Sequence, residues 1–283
     1  MPRHSSPDQV HPPKDELSPK QLEWKEYAEA AAVIARGAGD ILMRRRTELI
    51  QRKWKERHHF NTLADDESDA YIRQEINEQY PDHGIISEES PDKTNARDVL
   101  WVVDPLDGTI SYASNVSDHF GVSIGLVRNR QPLVGVLNFP ARRELFRAQQ
   151  GLGAWRNDQR IRVADLEDLH QALIGIDYGK VDRQGMIAGV NQLVSPEGVT
   201  YPVTFGSATS SLSLVADGRL NGYYAEQLEP WDMAAAVAII REAGGAVTDS
   251  RGKEWELGDH SIVASNPRLH TKLLEQIHAR TSA

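Results

Sequence analysis

The segment spanning residues 101–109 constrains the fold more than any other part of the chain. It reads WVVDPLDGT, an apolar run that predicts a buried strand and leads directly into Asp104 and Asp107. Carboxylates at the end of a buried strand are costly unless they bind something, and hard divalent cations prefer carboxylate and carbonyl oxygens. Because Pro105 fixes the backbone between the two acids, the turn can direct both carboxylates and the Leu106 carbonyl into one space. We interpret this segment as part of a metal site that suits Mg²⁺ better than zinc.

Composition excludes several other kinds of site. The chain has 283 residues, no cysteine and a formal net charge of -9. The absence of cysteine removes disulfides, thiolate zinc sites and cysteine nucleophiles, so any metal must be bound by oxygen or imidazole. The acidic balance argues against nucleic acid as the main partner, and the basic run at residues 44–46 is interpreted as a solvated helix end.

The first 20 residues contain five prolines and no apolar core. This composition predicts a disordered, proline-rich tail over residues 1–20 rather than a signal peptide or a membrane span. We therefore expect a cytoplasmic protein.

Hydrophobic periodicity predicts a mixture of helices and strands. In the first half, helices at 22–42 and from Ala64 to Pro81 precede short strands at 84–87, 99–103, 121–128, 132–139 and 144–148. The second half alternates strands at 172–177, 199–205 and 261–264 with helices at 183–194, 207–216, 230–243 and from 267 onward. We predict an α+β half over residues 21–160 that contains an antiparallel sheet, and an α/β half over residues 161–283 that completes the site.

Each remaining acidic or glycine-containing segment has an ordinary structural explanation when it is taken alone. Adjacent glutamates such as Glu88 and Glu89 usually mark a solvated loop, and acids near a helix start, such as Asp65 and Asp232, stabilise the helix dipole. The Asp-Gly-Thr sequence is common in turns. If a helix begins after Gly108, however, the backbone amides there can bind a phosphate group.

Taken together, these segments resemble the inositol monophosphatase family. The strings SEES at 87–90, WVVDPLDGT at 101–109 and WDMAA at 231–235 are similar to its three signature motifs and occur in the same order. Similarity extends over residues 22–277 through TLAD at 62–65, GLGA at 151–154, GSA at 206–208, EAGGAVT at 242–248 and IVASN at 262–266. The resemblance implies a five-layer αβαβα sandwich of the sugar phosphatase type, with an antiparallel sheet in the first half and a mixed sheet in the second.

The resemblance also implies an activity and a cofactor. It implies hydrolysis of a small phosphate monoester such as inositol 1-phosphate by a water molecule that two or three Mg²⁺ ions activate, with lithium as an inhibitor. Glu88, Asp104 and the Leu106 carbonyl would hold the first ion. Asp104, Asp107 and Asp232 would hold the second, and a third would bind near Glu88. A homodimer is implied as well.

Catalytic and substrate-binding positions follow from the same resemblance. Glu88, Asp65 and Thr109 are implied as catalytic residues, since Thr109 bonded to Asp65 would orient the attacking water. The residues implied to contact substrate are Asp107, Gly108, Thr109, Gly206, Ser207, Ala208, Glu226 and Asp232.

Two departures from the family pattern affect the interpretation. Ser87 stands where relatives commonly have glycine. Ala225, seven residues before Asp232, stands where inositol-cleaving relatives have a glutamate that binds ring hydroxyls, and Glu226 is one position later. Fructose bisphosphate, histidinol phosphate and 3′-phosphoadenosine 5′-phosphate therefore remain alternative substrates.

Other classes of protein fit the sequence less well. Haloacid dehalogenase phosphatases place their nucleophile two residues before the aspartate of Asp-Gly-Thr, and Pro105 at that position cannot attack phosphorus. The glycines near Lys180 have the wrong spacing for a P-loop. A regulatory member of the family without activity remains the other alternative, and the retained carboxylates argue against it.

Overall fold

The computed structural model describes residues 17–48, 50–56, 59–90, 92–94, 98–178 and 183–279. Most of the predicted tail lies outside these residues. The first helix begins at Pro19, and Ser18 caps it by accepting a hydrogen bond from the Gln21 amide. The boundary at residue 20 stays a prediction.

Seven α-helices are described: α1 (Pro19–Arg45), α2 (Leu63–Gln79), α3 (Thr109–Ser114), α4 (Arg183–Leu193), α5 (Ala208–Ala216), α6 (Pro230–Glu242) and α7 (Pro267–His278). The strands in the same residues are β1 (Arg52–Glu56), β2 (His59–Thr62), β3 (Gly84–Ser87), β4 (Val99–Asp107), β5 (Gly121–Arg128), β6 (Gln131–Phe139), β7 (Glu144–Gln149), β8 (Gly153–Arg156), β9 (Gln159–Arg160), β10 (Leu173–Asp177), β11 (Tyr201–Val203), β12 (Gly222–Ala225), β13 (Ala246–Thr248) and β14 (Ile262–Ser265).

The larger sheet has seven strands in the order β3-β4-β5-β6-β7-β8-β9. Six of them form an antiparallel meander, as predicted, because short turns connect consecutive strands. At the remaining edge of this sheet, β3 pairs with β4 in parallel. β3 ends at Ser87 and β4 begins at Val99, so the connection between these two parallel strands is longer than the turns of the meander.

The second sheet has five strands in the order β11-β10-β12-β14-β13 and is mixed, as predicted. β10 lies between β11 and β12 and is parallel to both, whereas β14 is antiparallel to β12. The carboxyl ends of β10, β11 and β12 therefore meet at the same edge of this sheet.

These elements form five layers, so the αβαβα sandwich is confirmed. α1 and α2 cover one face of the seven-stranded sheet, and α5 and α6 lie between the two sheets. α4 and α7 pack together on the far side of the five-stranded sheet. Glycine permits a close approach in the central layer, because a Cβ at Gly135 would lie 2.0 Å from the Ala235 carbonyl oxygen of α6.

None of the helices in the described part of the chain combines the length and the hydropathy that a membrane span requires. The division into halves at residue 160 stays a prediction. The strands of the larger sheet lie within residues 84–160, and those of the second within 173–265.

Candidate metal centre

A bulge in β4 explains how two aspartates three positions apart share one space. Asp104 pairs with Ser123 and Asp107 with Gly121, so β4 uses one residue more than β5 over the same stretch. In a regular strand, residues three apart point to opposite faces. Here the extra residue lies around Pro105, whose carbonyl accepts a 2.9 Å hydrogen bond from Ser68 of α2.

The start of α5 fixes the orientation of Asp107. Its Oδ2 accepts a 2.6 Å hydrogen bond from the Ser207 hydroxyl, a 2.9 Å bond from the Thr209 amide and a further bond from the Thr209 hydroxyl. Burial raises the pKa of Asp107, and the hydrogen bonds from Ser207 and Thr209 partly offset this effect. Because all three bonds go to Oδ2, the other oxygen keeps its capacity to bind a ligand.

Asp232 reaches the same place from the start of α6. It is the third residue of the helix, and its Oδ2 accepts a 2.8 Å hydrogen bond from the Glu229 amide. The Ser123 hydroxyl of β5 donates to the Trp231 carbonyl at 3.2 Å and ties this helix start to the larger sheet. Helix capping, which was the ordinary explanation for this acid, is therefore part of its role, and the cap also places it beside β4.

Asp104, Asp107 and Asp232 form a buried carboxylate cluster. Each offers an oxygen, and these three atoms lie within 4.8 Å of one another. Within the described residues, this is the group of acidic side chains that could together hold a metal ion. Three buried carboxylates at this separation repel one another, so a divalent cation fits the cluster. An all-oxygen donor set suits Mg²⁺ better than it suits a soft metal.

Glu88 lies next to this cluster but outside the group of three. The parallel pairing of β3 with β4 sets Ser87 opposite Val103, and the Glu88 amide donates to the Val103 carbonyl at 3.3 Å. Glu88 thus leaves the sheet beside Asp104. Its negative charge contributes to the raised pKa of Asp107.

Hydrogen bonds to α2 hold the loop that carries Glu88. The hydroxyls of Ser87 and Ser90 donate to the two oxygens of Asp69, one on each side of Glu88. This accounts for the serine at position 87. The neighbouring Glu89 accepts a 2.6 Å hydrogen bond from Lys55 and connects the loop to the β1–β2 hairpin.

Asp65 and Thr109 are bonded, as the family resemblance implied. Asp65 Oδ2 accepts hydrogen bonds from the amide and the hydroxyl of Thr62 at 2.8 and 2.6 Å, and Oδ1 lies 3.2 Å from the Thr109 hydroxyl. That hydroxyl is also 3.0 Å from the Leu106 carbonyl oxygen, so its single proton has two competing acceptors. Burial raises the pKa of Asp65 to about 7, although the bonds from Thr62 favour the ionised form.

The predicted glycine turns have the expected backbone. Gly108 has φ +81° and precedes α3, and a Cβ there would lie 2.5 Å from the His119 carbonyl oxygen. Gly206 has φ +68° and leads into Ser207, the N-cap of α5, while Ala208 is the first residue of that helix. The roles of Gly108 and Gly206 in binding substrate stay predictions.

The structure does not bring Glu226 to the carboxylate cluster. Its carboxylate accepts a 3.1 Å hydrogen bond from Tyr224, whose ring belongs to the core between the five-stranded sheet and α7. Ala225 belongs instead to the core of the central layer. The predicted contact between Glu226 and substrate stays a prediction, and Ala225 is the residue on the face toward the cluster.

Sequence reasoning missed two residues at this site. Thr209, which bonds to Asp107 twice, gives no signal beyond its place after an expected helix start. Asp177 ends β10, and its carboxylate accepts a 2.9 Å hydrogen bond from Tyr223. An acidic residue at the end of an apolar strand was the signal used for Asp104, and the same signal was present at Asp177.

The layered fold and the buried acidic cluster between its sheets define a sandwich of the sugar phosphatase type. The chain belongs to the inositol monophosphatase family, whose model matches residues 23–282. It is 35% identical to inositol-1-monophosphatase from Synechocystis over 94% of this chain and 93% of the relative. It is 36% identical to Nus factor SuhB from Pasteurella multocida over 86% and 92% of the two chains. The crystal structure of the extragenic suppressor protein suhB from Bartonella henselae matches with a TM-score of 0.85 at 29% identity, covering 90% of this chain and all of that one.

Proposed function

We propose that this protein is a Mg²⁺-dependent phosphomonoesterase whose substrate is a small phosphate ester of the inositol 1-phosphate kind. One observation carries the proposal: a carboxylate oxygen from each of the buried residues Asp104, Asp107 and Asp232 lies within 4.8 Å of the other two. The Synechocystis relative named inositol-1-monophosphatase supports the choice of substrate.

Each acidic residue has a proposed place in the centre. Glu88, Asp104 and the Leu106 carbonyl would hold one ion, and Asp104, Asp107 and Asp232 would hold the next. A third ion would bind near Glu88. When bound, such ions lower the pKa of a water molecule and stabilise charge on the leaving oxygen.

The remaining residues would position the reactants. Thr109 shares its proton between Asp65 and the Leu106 carbonyl, which leaves the hydroxyl oxygen as an acceptor that can orient a water. Gly108 and Thr109 start α3, and Gly206, Ser207 and Ala208 start α5, so we propose that these two helix starts border the substrate. Ser207 also acts through Asp107, to which it is bonded.

The test is release of inorganic phosphate by the purified protein with Mg²⁺ and after removal of Mg²⁺ by a chelator. Inositol 1-phosphate, fructose 1,6-bisphosphate, histidinol phosphate and 3′-phosphoadenosine 5′-phosphate form the panel. We expect Mg²⁺-dependent release that is fastest with inositol 1-phosphate. Release from none of the four would contradict the proposed activity, and a different preferred ester would correct the substrate.

The names of several relatives favour a second candidate function. The Pasteurella multocida relative is named Nus factor SuhB. A binding role of the kind that this name denotes is therefore the alternative to catalysis. A regulatory role would persist in a variant that has lost the carboxylate cluster, whereas phosphatase activity would not. The cytoplasmic location, the homodimer, the lithium inhibition and the minor role of nucleic acid all stay predictions.

A further inference from the structure

Asp177 ends β10 on the face of the five-stranded sheet that is turned toward the central layer. In the parallel pairing of β10 with β12, Gly175 lies opposite Tyr223 and Asp177 opposite Ala225. Residues in register on neighbouring strands share a face. Tyr223 and Ala225 both belong to the core of the central layer, so Asp177 faces that layer too.

The topology places this strand end where ligands bind in comparable sheets. The chain leaves β10 into α4, on the outer side of the sheet, and leaves β11 into α5, on the inner side. Neighbouring parallel strands whose connections depart to opposite sides of a sheet open a crevice at their carboxyl ends. Asp177 lies at that crevice.

The side chain of Tyr223 relates Asp177 to the carboxylate cluster. The Tyr223 hydroxyl donates to Asp177 at 2.9 Å, and the negative charges of Asp177, Asp107 and Asp232 all contribute to its raised pKa, after burial itself. Thr204, which donates to Asp177, lies three residues before Ser207, which donates to Asp107. Asp177 is therefore close to the cluster, on the wall that the second sheet provides.

The carboxylate of Asp177 keeps unused hydrogen-bonding capacity. Oδ2 accepts the bond from Tyr223, whereas Oδ1 has only a long 3.4 Å bond from Thr204 among the described residues. A carboxylate can accept about four hydrogen bonds, and Asp177 is partly buried, so leaving this capacity unused is costly. The donors of both bonds, Tyr223 and Thr204, are hydroxyl groups. A hydroxyl group of a ligand is therefore a suitable further donor to this carboxylate.

We propose that Asp177 accepts a hydrogen bond from a hydroxyl group on the alcohol part of the substrate, and so selects phosphate esters of polyols. This inference rests on the proposed phosphatase function. It also explains why alanine is tolerated at position 225, because Asp177 on the adjacent strand β10 would supply the carboxylate that was expected there. Asp177 is a specificity-determining residue in this account, and the carboxylate cluster keeps its separate role.

The test compares two esters in the wild-type protein and in Asp177→Asn. Inositol 1-phosphate has free hydroxyls on its alcohol, and phenyl phosphate has none. Losing a hydrogen bond to a charged group lowers specificity roughly tenfold to a hundredfold, so the ratio of kcat/KM for the two esters should fall by that factor. Turnover of phenyl phosphate should stay within about threefold, because its alcohol part has no hydroxyl group for Asp177 to contact.

A second variant moves the carboxylate instead of removing it. Asp177→Asn combined with Ala225→Asp restores an acid to the same face, one strand away, and should recover part of the lost preference for inositol 1-phosphate. The unfolding midpoint of each variant shows whether it folds. Asparagine matches the shape of Asp177 and retains an acceptor for the Tyr223 hydroxyl, so we expect Asp177→Asn to fold.

Several outcomes would overturn the inference. An unchanged ratio in folded Asp177→Asn would show that the carboxylate does not contact the alcohol. Equal losses on both esters would place Asp177 in support of the metal centre instead. A loss in Glu226→Gln with none in Asp177→Asn would assign the contact to Glu226, and a larger loss on histidinol phosphate than on inositol 1-phosphate would assign it to an ammonium group. If the wild-type protein hydrolyses neither ester, the proposed function fails before this comparison is reached.

Discussion

Single residues at this site serve structure and chemistry together. Asp65 is the third residue of α2, and its Oδ2 completes the capping box with Thr62. Its Oδ1 holds the Thr109 hydroxyl. An acid at a helix start was expected either to cap the helix or to act in catalysis, and the two oxygens of this one carboxylate allow both.

Thr109→Val tests the residue that we propose to orient water. The variant keeps the shape of the side chain and loses the hydroxyl, so kcat should fall about a hundredfold or more while metal affinity stays unchanged. Phosphate release and Mg²⁺ titration measure the two quantities. Thr109→Ser, which retains a hydroxyl, is the matched control and should recover most of the rate. Equal rates in the valine and serine variants would remove Thr109 from the mechanism.

The sequence was sufficient to find the acids that occur in a recognisable local pattern. Asp104 and Asp107 follow an apolar strand, and Asp232 opens an apolar helix, so their positions could be predicted. The partners of these acids could not. The bonds from Ser207 and Thr209 to Asp107 cross about a hundred residues of chain, and only the folded arrangement of α5 against β4 brings them together.

At the level of elements, the turn between β4 and α3 depends on glycine. Gly108 has a positive φ and also lies against the backbone of His119. Gly244, after α6, has a similar φ of +85° but no neighbour within 4 Å of a Cβ. A substitution at Gly244 therefore tests backbone strain alone, whereas one at Gly108 adds a steric conflict to the same strain.

We expect Gly108→Ala to destabilise the protein more than Gly244→Ala does. The control should lose about 1–2 kcal/mol from its positive φ, and Gly108→Ala should lose at least about 1 kcal/mol more because its Cβ displaces a carbonyl. Urea unfolding measures both losses. Because Gly108 follows Asp107, Gly108→Ala should also lower turnover, whereas Gly244→Ala should not. Equal losses of stability in the two variants would contradict the geometry of this turn.

The packing of α7 on the second sheet involves a buried histidine. His270 lies 3.0 Å from the Thr248 hydroxyl and 3.1 Å from the Ser265 hydroxyl, and burial lowers its pKa to about 4. Between that value and the ordinary pKa near 6.5, the unfolded chain binds a proton that the folded protein does not. His270 therefore costs stability as the pH falls below 6.5.

His270→Gln should reduce the loss of stability between pH 7 and pH 5. One such group contributes at most about 1.4 kcal/mol per pH unit, so the variant should lose less unfolding free energy than the wild type by roughly 1 kcal/mol or more. Other groups also titrate here, and those with raised pKa, such as Asp65 and Asp177, act in the opposite direction. The comparison with wild type removes their contribution. His278→Gln, at the exposed end of the same helix, is the control, and an identical pH response in all three proteins would contradict burial of His270.

The parallel edge strand is the element that local patterns could not predict. Alternation and turn signals identify β3 and β4 correctly, but nothing in either strand specifies their relative direction. Their parallel pairing is a feature of the folded sheet, in which β4 lies between β3 and β5. This pairing brings Glu88 beside Asp104, so local patterns could not predict the feature that completes the proposed metal site.

At the level of the whole molecule, the site depends on both sheets and on the layer between them. β4 supplies Asp104 and Asp107, α6 supplies Asp232, and β10 supplies Asp177. The close packing of Gly135 against Ala235 sets the position of α6 relative to the larger sheet. The fold class was predictable because motifs from the whole chain matched one family. The distances between the carboxylates could not be predicted from the sequence, since they are set by packing between residues more than a hundred positions apart.

Binding of Mg²⁺ at this junction should stabilise the whole protein. A cation that binds only the folded state adds about 2.7 kcal/mol at a hundred times its Kd, so Mg²⁺ should raise Tm and a chelator should reverse the shift. Asp232→Asn, which removes the ligand on α6, should reduce the shift. An equal shift in that variant would place the stabilising ion elsewhere.

The most direct test of the carboxylate centre is Mg²⁺-dependent phosphate release from inositol 1-phosphate by wild type, Asp104→Asn and Asp249→Asn. Asp104 is proposed to bind two ions, whereas Asp249 is a buried acid that accepts hydrogen bonds from the Arg251 and Lys253 amides in a turn. Loss of several kcal/mol of metal stabilisation should lower the rate of Asp104→Asn roughly a thousandfold or more. Asp249→Asn should keep the wild-type rate. A folded Asp104→Asn protein that turns over at nearly the wild-type rate would contradict the account.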